Sequence, residues 1–381
     1  MTNVEFVDRV RRRLAATSSP DIGLVVRSEQ SSSGVIADEA GLAAIERDVA
    51  AEVSGAGALE PLLALPGVTD VLVNGPRDVW LDRGRGLERA AVRFTDDSAV
   101  RRLAQRLAAA AGRRLDDASP VVDAALADGT RLHAVLPPIT PLTTLSLRVL
   151  ARRRFELHEL VDVYVASLLR AIVTARLTVV ITGGTGSGKT TLLGAMLGCV
   201  PASERLVVIE DAAELVTGHP HVVRLVTRPA NVEGSGAIGL RELVRQALRM
   251  RPDRLVVGEF RGAEIVELLV ALNTGHEGGA ATLHANTAAD VPARLYALGA
   301  LGGLSPAAVT SQAASGLDVV VHLRRARTGL RGVAEIALLE RRGDELVVAP
   351  VWSGERGLQD RAADLVGRLA QCGVDPVGLL P

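Results

Sequence analysis

Lysine is nearly missing from this 381-residue chain: Lys189 is the only one among 43 lysines and arginines. A coding bias toward arginine explains the other positions, where any solvated positive charge suffices. It does not explain the exception. An ammonium on a thin stem fits a tight backbone nest that a planar guanidinium cannot enter, so Lys189 marks a place where chemistry forbids the exchange. Aromatic residues make up 2% of the chain and the formal net charge is −1. With neither stacking platforms nor a basic track, no nucleic-acid partner is expected. The two cysteines, Cys199 and Cys372, lie far apart without metal-ligand spacing and read as packing residues. Asp162, Arg170 and Arg176 interrupt the most apolar region, 161–181, so no run reaches the about 18 residues a spanning helix needs. Residues 1–14 carry Glu5, Asp8 and several arginines where an export signal would have an apolar core. The chain is therefore expected in the cytoplasm.

What is present suits a globular protein of at least two domains: 48% of residues are apolar and 23% charged. Residues 1–57 read as a small helical appendage, with helices over 5–15 and 38–53 around a polar stretch, 28–34. Residues 58–150 alternate short apolar strands (68–73, 79–81, 132–136) with turn signals, interrupted by one amphipathic helix over 97–111. That is an α+β domain. Arg152, Arg153 and Arg154 form a basic hinge over 151–157. From 158 to 381 the pattern becomes α/β, with buried strands separated by helices as in an open parallel sheet covered on both faces. Strands over 177–182, 206–209, 255–257 and 280–283 each end in polar residues, where such sheets build ligand sites. The strands over 319–323, 333–339 and 346–351 read as a small antiparallel tail.

The first of those strands runs into Gly183-Gly184-Thr185-Gly186-Ser187-Gly188-Lys189-Thr190, followed by Thr191 and an apolar helical pattern. Strand, glycine loop, lysine, hydroxyl and helix in this order form a P-loop. Its backbone N–H groups turn inward around a phosphate at a helix N-terminus, Lys189 reaches the β- and γ-oxygens, and Thr190 ligates Mg²⁺. The expected ligands are ATP and Mg²⁺. A hydrolytic site also needs carboxylates to help hold the metal and orient water. Glu259 ends one strand, and Glu210 with Asp211 ends another. His276 and His284 flank a glycine–alanine strand. Metal binding by them is a weak reading, since no cysteine is near, and a sensor of the γ-phosphate or attacking water fits strand ends better.

The P-loop, RLVVIEDAAEL (205–215), RMRPDRLVVGE (249–259) and TGHEGGAATLHAN (274–286) resemble the Walker A, Asp box, Walker B and His box of the type II/IV secretion ATPases. Upstream, VTDVLVNGP (68–76) and GRRLDDASPVVD (112–123) resemble the N-terminal domain of the tight-adherence (Flp/Tad, type IVc) pilus ATPases, the CpaF-like subfamily. The resemblance covers roughly 59–325. It implies a RecA-like ATPase domain, Glu259 as general base, Glu210 as its Asp-box partner with a water-mediated share in the metal, and His276 and His284 as γ-phosphate sensors. It also implies that Arg131, in DGTR (128–131), and Arg148, in SLR (146–148), reach the phosphates from the N-terminal domain. The segment 137–146 is short for the family, which bears on the reach of Arg148, and Phe260 stands where a smaller apolar residue is usual. The implied assembly is a homo-hexamer on inner-membrane platform proteins, peripheral to the membrane through those partners, driving pilus assembly or retraction. A type IV secretion or conjugation ATPase shares all four boxes. A non-hydrolysing nucleotide-gated scaffold is the alternative of a different class.

Overall fold

In a computed structural model of the chain, residues 55–84, 86–149, 153–228, 230, 235–326 and 328–375 are described, preceded by 22–33 and single positions at 9, 10, 13, 43 and 46. The helices expected over 5–15 and 38–53 otherwise lie outside the described residues. The polar stretch 28–34 is corrected, because a helix spans Ile22–Ser33. Its serines stay helical by bonding back along it, Ser31 Oγ to the Arg27 carbonyl and Ser32 Oγ to that of Glu29, at 3.0 Å each. The chain divides into two compact units, Met1–Ala151 and Arg152–Pro381.

In the first unit six antiparallel strands form one sheet, in the order β3-β2-β1-β6-β5-β4. They are β1 (Asp70–Val73), β2 (Val79–Asp82), β3 (Leu87–Arg89), β4 (Val121–Ala125), β5 (Arg131–Val135) and β6 (Thr144–Arg148). Alternation puts Val71, Val73, Val79, Leu81, Leu132, Ala134, Leu145 and Leu147 on one buried face. The helix Asp97–Ala110 contributes Val100, Leu103, Ala104, Leu107 and Ala108 to the same core. Asp96 caps that helix by accepting from Ala99 N at 2.8 Å. Asp97 ties it to the approach to β6, accepting from Thr143 N at 2.8 Å and Thr143 Oγ1 at 3.0 Å.

The second unit is built on a nine-stranded sheet, in the order β15-β14-β13-β12-β7-β11-β10-β8-β9. Its strands are β7 (Val179–Gly183), β8 (Leu206–Glu210), β9 (Val222–Val226), β10 (Arg254–Val257), β11 (Ala280–Leu283), β12 (Val319–Arg325), β13 (Arg331–Arg342), β14 (Glu345–Ser353) and β15 (Gly357–Leu358). From β12 to β9 neighbouring strands are parallel, and β13 to β15 extend the sheet antiparallel. The antiparallel tail is thus no separate piece, since β12 pairs in parallel with β7 itself. Successive residues face opposite cores: Val179 and Ile181 pack with the helices Val163–Thr174, Lys189–Leu197 and Ala362–Gln371, while Val180 packs with Leu240–Ala247, Ile265–Leu272, Val291–Leu301 and Pro306–Gly316. Burial on both faces explains why these strands read as continuous apolar runs.

Within this sheet, buried His322 on β12 faces Thr182 on β7, Nδ1 lying 2.9 Å from Thr182 Oγ1. Burial holds its pKa below the ordinary histidine value, helped by Arg324. The native state therefore binds fewer protons here than the unfolded chain. The stability from neutral His322 is complete above about pH 6.5 and is lost as pH falls through the lower folded-state value. Denaturant titrations between roughly pH 7 and 5 are expected to show a smaller stability loss for His322→Asn than for the native chain. Equal slopes for the two proteins would refute this.

Candidate active site

Strand β7 ends at Gly183, where φ is +145° and a Cβ would stand 2.6 Å from the Leu323 carbonyl oxygen and 2.7 Å from Ser187 Oγ. No larger residue fits. Gly186 and Gly188 also have positive φ, and Gly188 is the N-cap of the helix Lys189–Leu197. Gly184, Thr185 and Gly186 are exposed, whereas Ser187 and Lys189 are buried. The loop therefore presents backbone outward over a buried ammonium, at the positive end of a helix. Lys189 Nζ donates to the Gly183 carbonyl at 3.0 Å and the Gly184 carbonyl at 3.3 Å. Desolvation lowers its pKa, and the charge of Glu259 opposes that shift.

Parallel pairing brings the neighbouring strand ends level with the loop: Leu283 of β11 is opposite Thr182, and Val257 of β10 is opposite Ala281. Thr282 Oγ1 locks the two neighbours together by donating to the Gly258 carbonyl at 2.6 Å. Beyond them stand Glu259 and His284. His284 Nε2 lies 2.8 Å from Glu259 Oε1, yet off the line a hydrogen bond requires, so this buried oxygen has no hydrogen-bond partner among the described residues. The other oxygen, Oε2, is gripped by Arg261 Nη2. His284 Nδ1 lies 3.4 Å from Lys189 Nζ. Desolvation pushes the His284 pKa down, Glu259 acts against it, and Lys189 adds to it, so the ring is neutral at neutral pH. Phe260, fully buried in the core under this edge, fills the space where a smaller residue was expected.

Other site residues of the sequence reading fall elsewhere. The structure does not bring His276 to the loop. It precedes β11, at the amino edge of the sheet where Val179 N donates to the Gly279 carbonyl, so roughly 10 Å of strand separates it from the loop level. Its Nδ1 is 3.1 Å from the Ala271 carbonyl at the end of a helix. Two histidines flanking one strand necessarily stand at its opposite ends, and only the one at the carboxyl end meets the P-loop. Glu210 ends β8, is 3% exposed, and has both oxygens engaged: Oε1 accepts from Glu214 N (3.0 Å) and Leu215 N (2.7 Å), and Oε2 from Arg224 (3.2 Å). Burial raises its pKa, against those hydrogen bonds and the charge of Arg224. In the first unit Arg131 opens β5 and Arg148 closes β6, and the two are cross-strand partners, with Arg148 Nε donating to Asp70 Oδ1 at 3.0 Å. Sequence reasoning missed Arg325 and Arg331, whose hairpin borders the loop. Their only signal was the basic run 324–331 after a buried strand.

These residues fit a magnesium nucleotide. Ser187 Oγ and Glu259 Oε1 are both buried without hydrogen-bond partners among the described residues, and the Lys189 ammonium rests on backbone carbonyls. A phosphate chain and an ordered water would satisfy all three. No cluster of three or more histidines, cysteines or acids with metal-binding placement lies among the described residues. Mg²⁺ binds largely through nucleotide phosphates and water, and half-buried Thr190 offers a hydroxyl beside Lys189.

A family model described as type II/IV secretion system protein matches residues 52–346. A Mycobacterium tuberculosis protein bearing the provisional name of conjugal transfer protein is 58% identical over 326 residues, 82% of this chain and 93% of that one. Conjugal transfer protein TrbB of Rhizobium radiobacter is 32% identical over 283 residues, covering 72% and 84% of the two chains. Among solved structures, the pilus retraction motor PilT with ADP superposes with a TM-score of 0.52 at 23% identity, over 73% of this chain and 80% of its own. The Legionella pneumophila ATPase DotB gives 0.52 at 19%, over 82% and 81%. At those identities the likeness is one of fold, the RecA-like architecture. With the match running through both units and all four boxes, the chain belongs to the type II/IV secretion system protein family.

Proposed function

We propose that this chain is an ATP-hydrolysing motor that works as a homo-hexameric ring on the inner-membrane platform of a Flp/Tad pilus, driving fibre assembly from the cytoplasmic face. The observation that carries the hydrolytic reading is the single strand-end edge that gathers the P-loop, the lone lysine, a half-satisfied Glu259 and a neutral His284. The family supports a secretion-type machine, and the segments 68–76 and 112–123 support the Flp/Tad assignment. A second reading, a conjugation or type IV secretion ATPase, is favoured by the names of the conjugal-transfer relatives. Deleting the gene decides between them: loss of pili with DNA transfer intact supports the first reading, and the reverse supports the second.

In the reaction, Lys189 exchanges loop carbonyls for β- and γ-phosphate oxygens. Glu259 Oε1 orients the attacking water and takes its proton, while Arg261 fixes the carboxylate through Oε2. Neutral His284 hydrogen-bonds the γ-phosphate or that water. Mg²⁺ held by Thr190, with Glu210 acting through water, would supply charge neutralisation at the phosphates. Arg131 and Arg148 act as arginine fingers from the N-terminal unit, within a subunit or across a ring boundary.

Lys189→Ala is expected to cut steady-state ATP turnover below about a tenth of wild type with an unchanged melting transition, since positioning and charge carry most of phosphoryl-transfer catalysis. Retained turnover in a folded variant would remove the P-loop assignment, whereas nucleotide binding without turnover in the wild-type chain would leave the nucleotide-gated scaffold as the better reading. Glu259→Gln should keep nucleotide affinity and lose turnover by about 100-fold, because the amide preserves shape without the basic oxygen. If Glu210→Gln is the inactive variant instead, the two acids exchange roles. Arg131→Ala and Arg148→Ala should each slow turnover by about ten-fold while ADP affinity changes little. Mixing either with Lys189→Ala subunits restores activity only where fingers act across subunits, and full activity in both single variants refutes a catalytic role for them.

A further inference from the structure

The P-loop has two flanks, and the mechanism uses only one of them. On the β11 side stand Glu259 and His284. On the other side is β12, paired with β7 through Leu323 opposite Gly183. Arg325 closes β12 and Arg331 opens β13, and the two are direct cross-strand partners. A Cβ at Gly186 would lie 3.7 Å from Arg325 Nη1, and one at Gly188 would lie 3.7 Å from Arg331 Cδ and 3.9 Å from Leu323 Cδ2. One guanidinium therefore rests against the crown of the loop, and the stem of the other lies beside the start of its helix. The pairing register of β12 and β13 shifts at His322/Leu323, a bulge of the kind that re-aims side chains beside active sites. Both arginines are exposed, and the ion pairs of the described residues include neither of them. Their neighbour Arg324 pairs with Glu355 at 3.0 Å.

A triphosphate laid along this loop has its reacting end toward Glu259, which must approach the γ-phosphate. Its other end then runs toward β12. We propose that Arg325 and Arg331 hold the nucleotide's α-phosphate, with Arg325 making the direct contact and Arg331 closing the flank behind it. The proposal rests on the nucleotide reading of the P-loop. Guanidinium groups suit this position because two parallel N–H donors match two phosphate oxygens, and a flank open to solvent has room for the planar group that the nest around Lys189 lacks. A contact at the α-phosphate is common to ATP and ADP. It therefore contributes binding that is equal in the ground and transition states and leaves the chemical step alone.

Calorimetric titration of the full chain with Mg-ADP, alongside steady-state ATP kinetics, tests this. Arg325→Ala is expected to weaken ADP affinity and raise the KM for ATP by about ten-fold each, with kcat within about two-fold of wild type. Arg325→Lys should recover part of the loss. The double variant with Arg331→Ala should lose more, and AMP binding should weaken in parallel. A fall in kcat with unchanged ADP affinity would place these groups at the γ-phosphate and overturn the proposal. Unchanged affinity and kinetics would overturn it too, including the case in which the variant fails only in ring assembly or partner binding and the hairpin is an interaction surface. If folded wild-type protein takes up no ADP, the nucleotide reading itself has failed, and the two failures are thereby distinguished.

Discussion

At Gly183 the end of β7 passes so close to β12 that not even a methyl group fits between them. The strand cannot continue with a side chain there, so the backbone turns out of the sheet with φ at +145° and becomes the P-loop. Because β11 and β12 both run parallel to β7, Leu283 stands opposite Thr182 and Leu323 opposite Gly183, on either side of that turn. The loop thus has the His284 strand on one side and the strand of the arginine hairpin on the other. A glycine at this position is required by backbone crowding before any ligand is considered.

The electrostatics of the edge follow from that crowding. Lys189 and Arg261 bring two positive charges beside one carboxylate, Glu259, while desolvation keeps His284 neutral. The ammonium is buried enough for desolvation to lower its pKa. Two opposite unit charges about 4 Å apart attract by about 4 kcal/mol at an effective dielectric near 20, while one pKa unit of depression represents about 1.4 kcal/mol. An incoming polyphosphate therefore acts against the desolvation and favours the charged form of Lys189. The grip of Arg261 on one Glu259 oxygen leaves the other without a hydrogen bond among the described residues.

Much of this was legible in the sequence where pattern and chemistry coincide. The strands ending at Gly183, Glu210 and Leu283 are buried on both faces and bounded by glycine or acids, so their runs mark both element and site. The helix at 97–110 showed itself through its apolar face and the Gly112 stop. Legibility failed where a residue's place depends on pairing. His276 and His284 look alike in sequence, yet strand polarity puts them on opposite edges of the sheet. Val319 to Leu323 reads as part of an antiparallel tail because nothing local reveals that it also pairs with β7, well over a hundred residues earlier. Arg325 and Arg331 resemble any of the other arginines until the hairpin sets them against the loop. The helix Ile22–Ser33 was hidden by serines that satisfy themselves on its own carbonyls.

The two edges of the second unit's sheet are finished in opposite ways. At the amino edge, Arg254 is 2% exposed and binds Glu204 through Nε at 2.7 Å and the Val173 carbonyl through Nη1 at 2.9 Å. Arg176 adds a second pair to Glu204 at 2.9 Å. A buried guanidinium so fully partnered fixes its surroundings, and removing one partner would strand a charge at a cost of about 3–5 kcal/mol. At the carboxyl edge the polar groups are held less completely, with Ser187 Oγ and Glu259 Oε1 lacking hydrogen bonds among the described residues and Lys189 resting on loop carbonyls. Unsatisfied buried groups are destabilising and are rare in folded proteins outside functional sites. Ser187 Oγ and Glu259 Oε1 are two such groups, and a phosphate chain with its water would give both a partner.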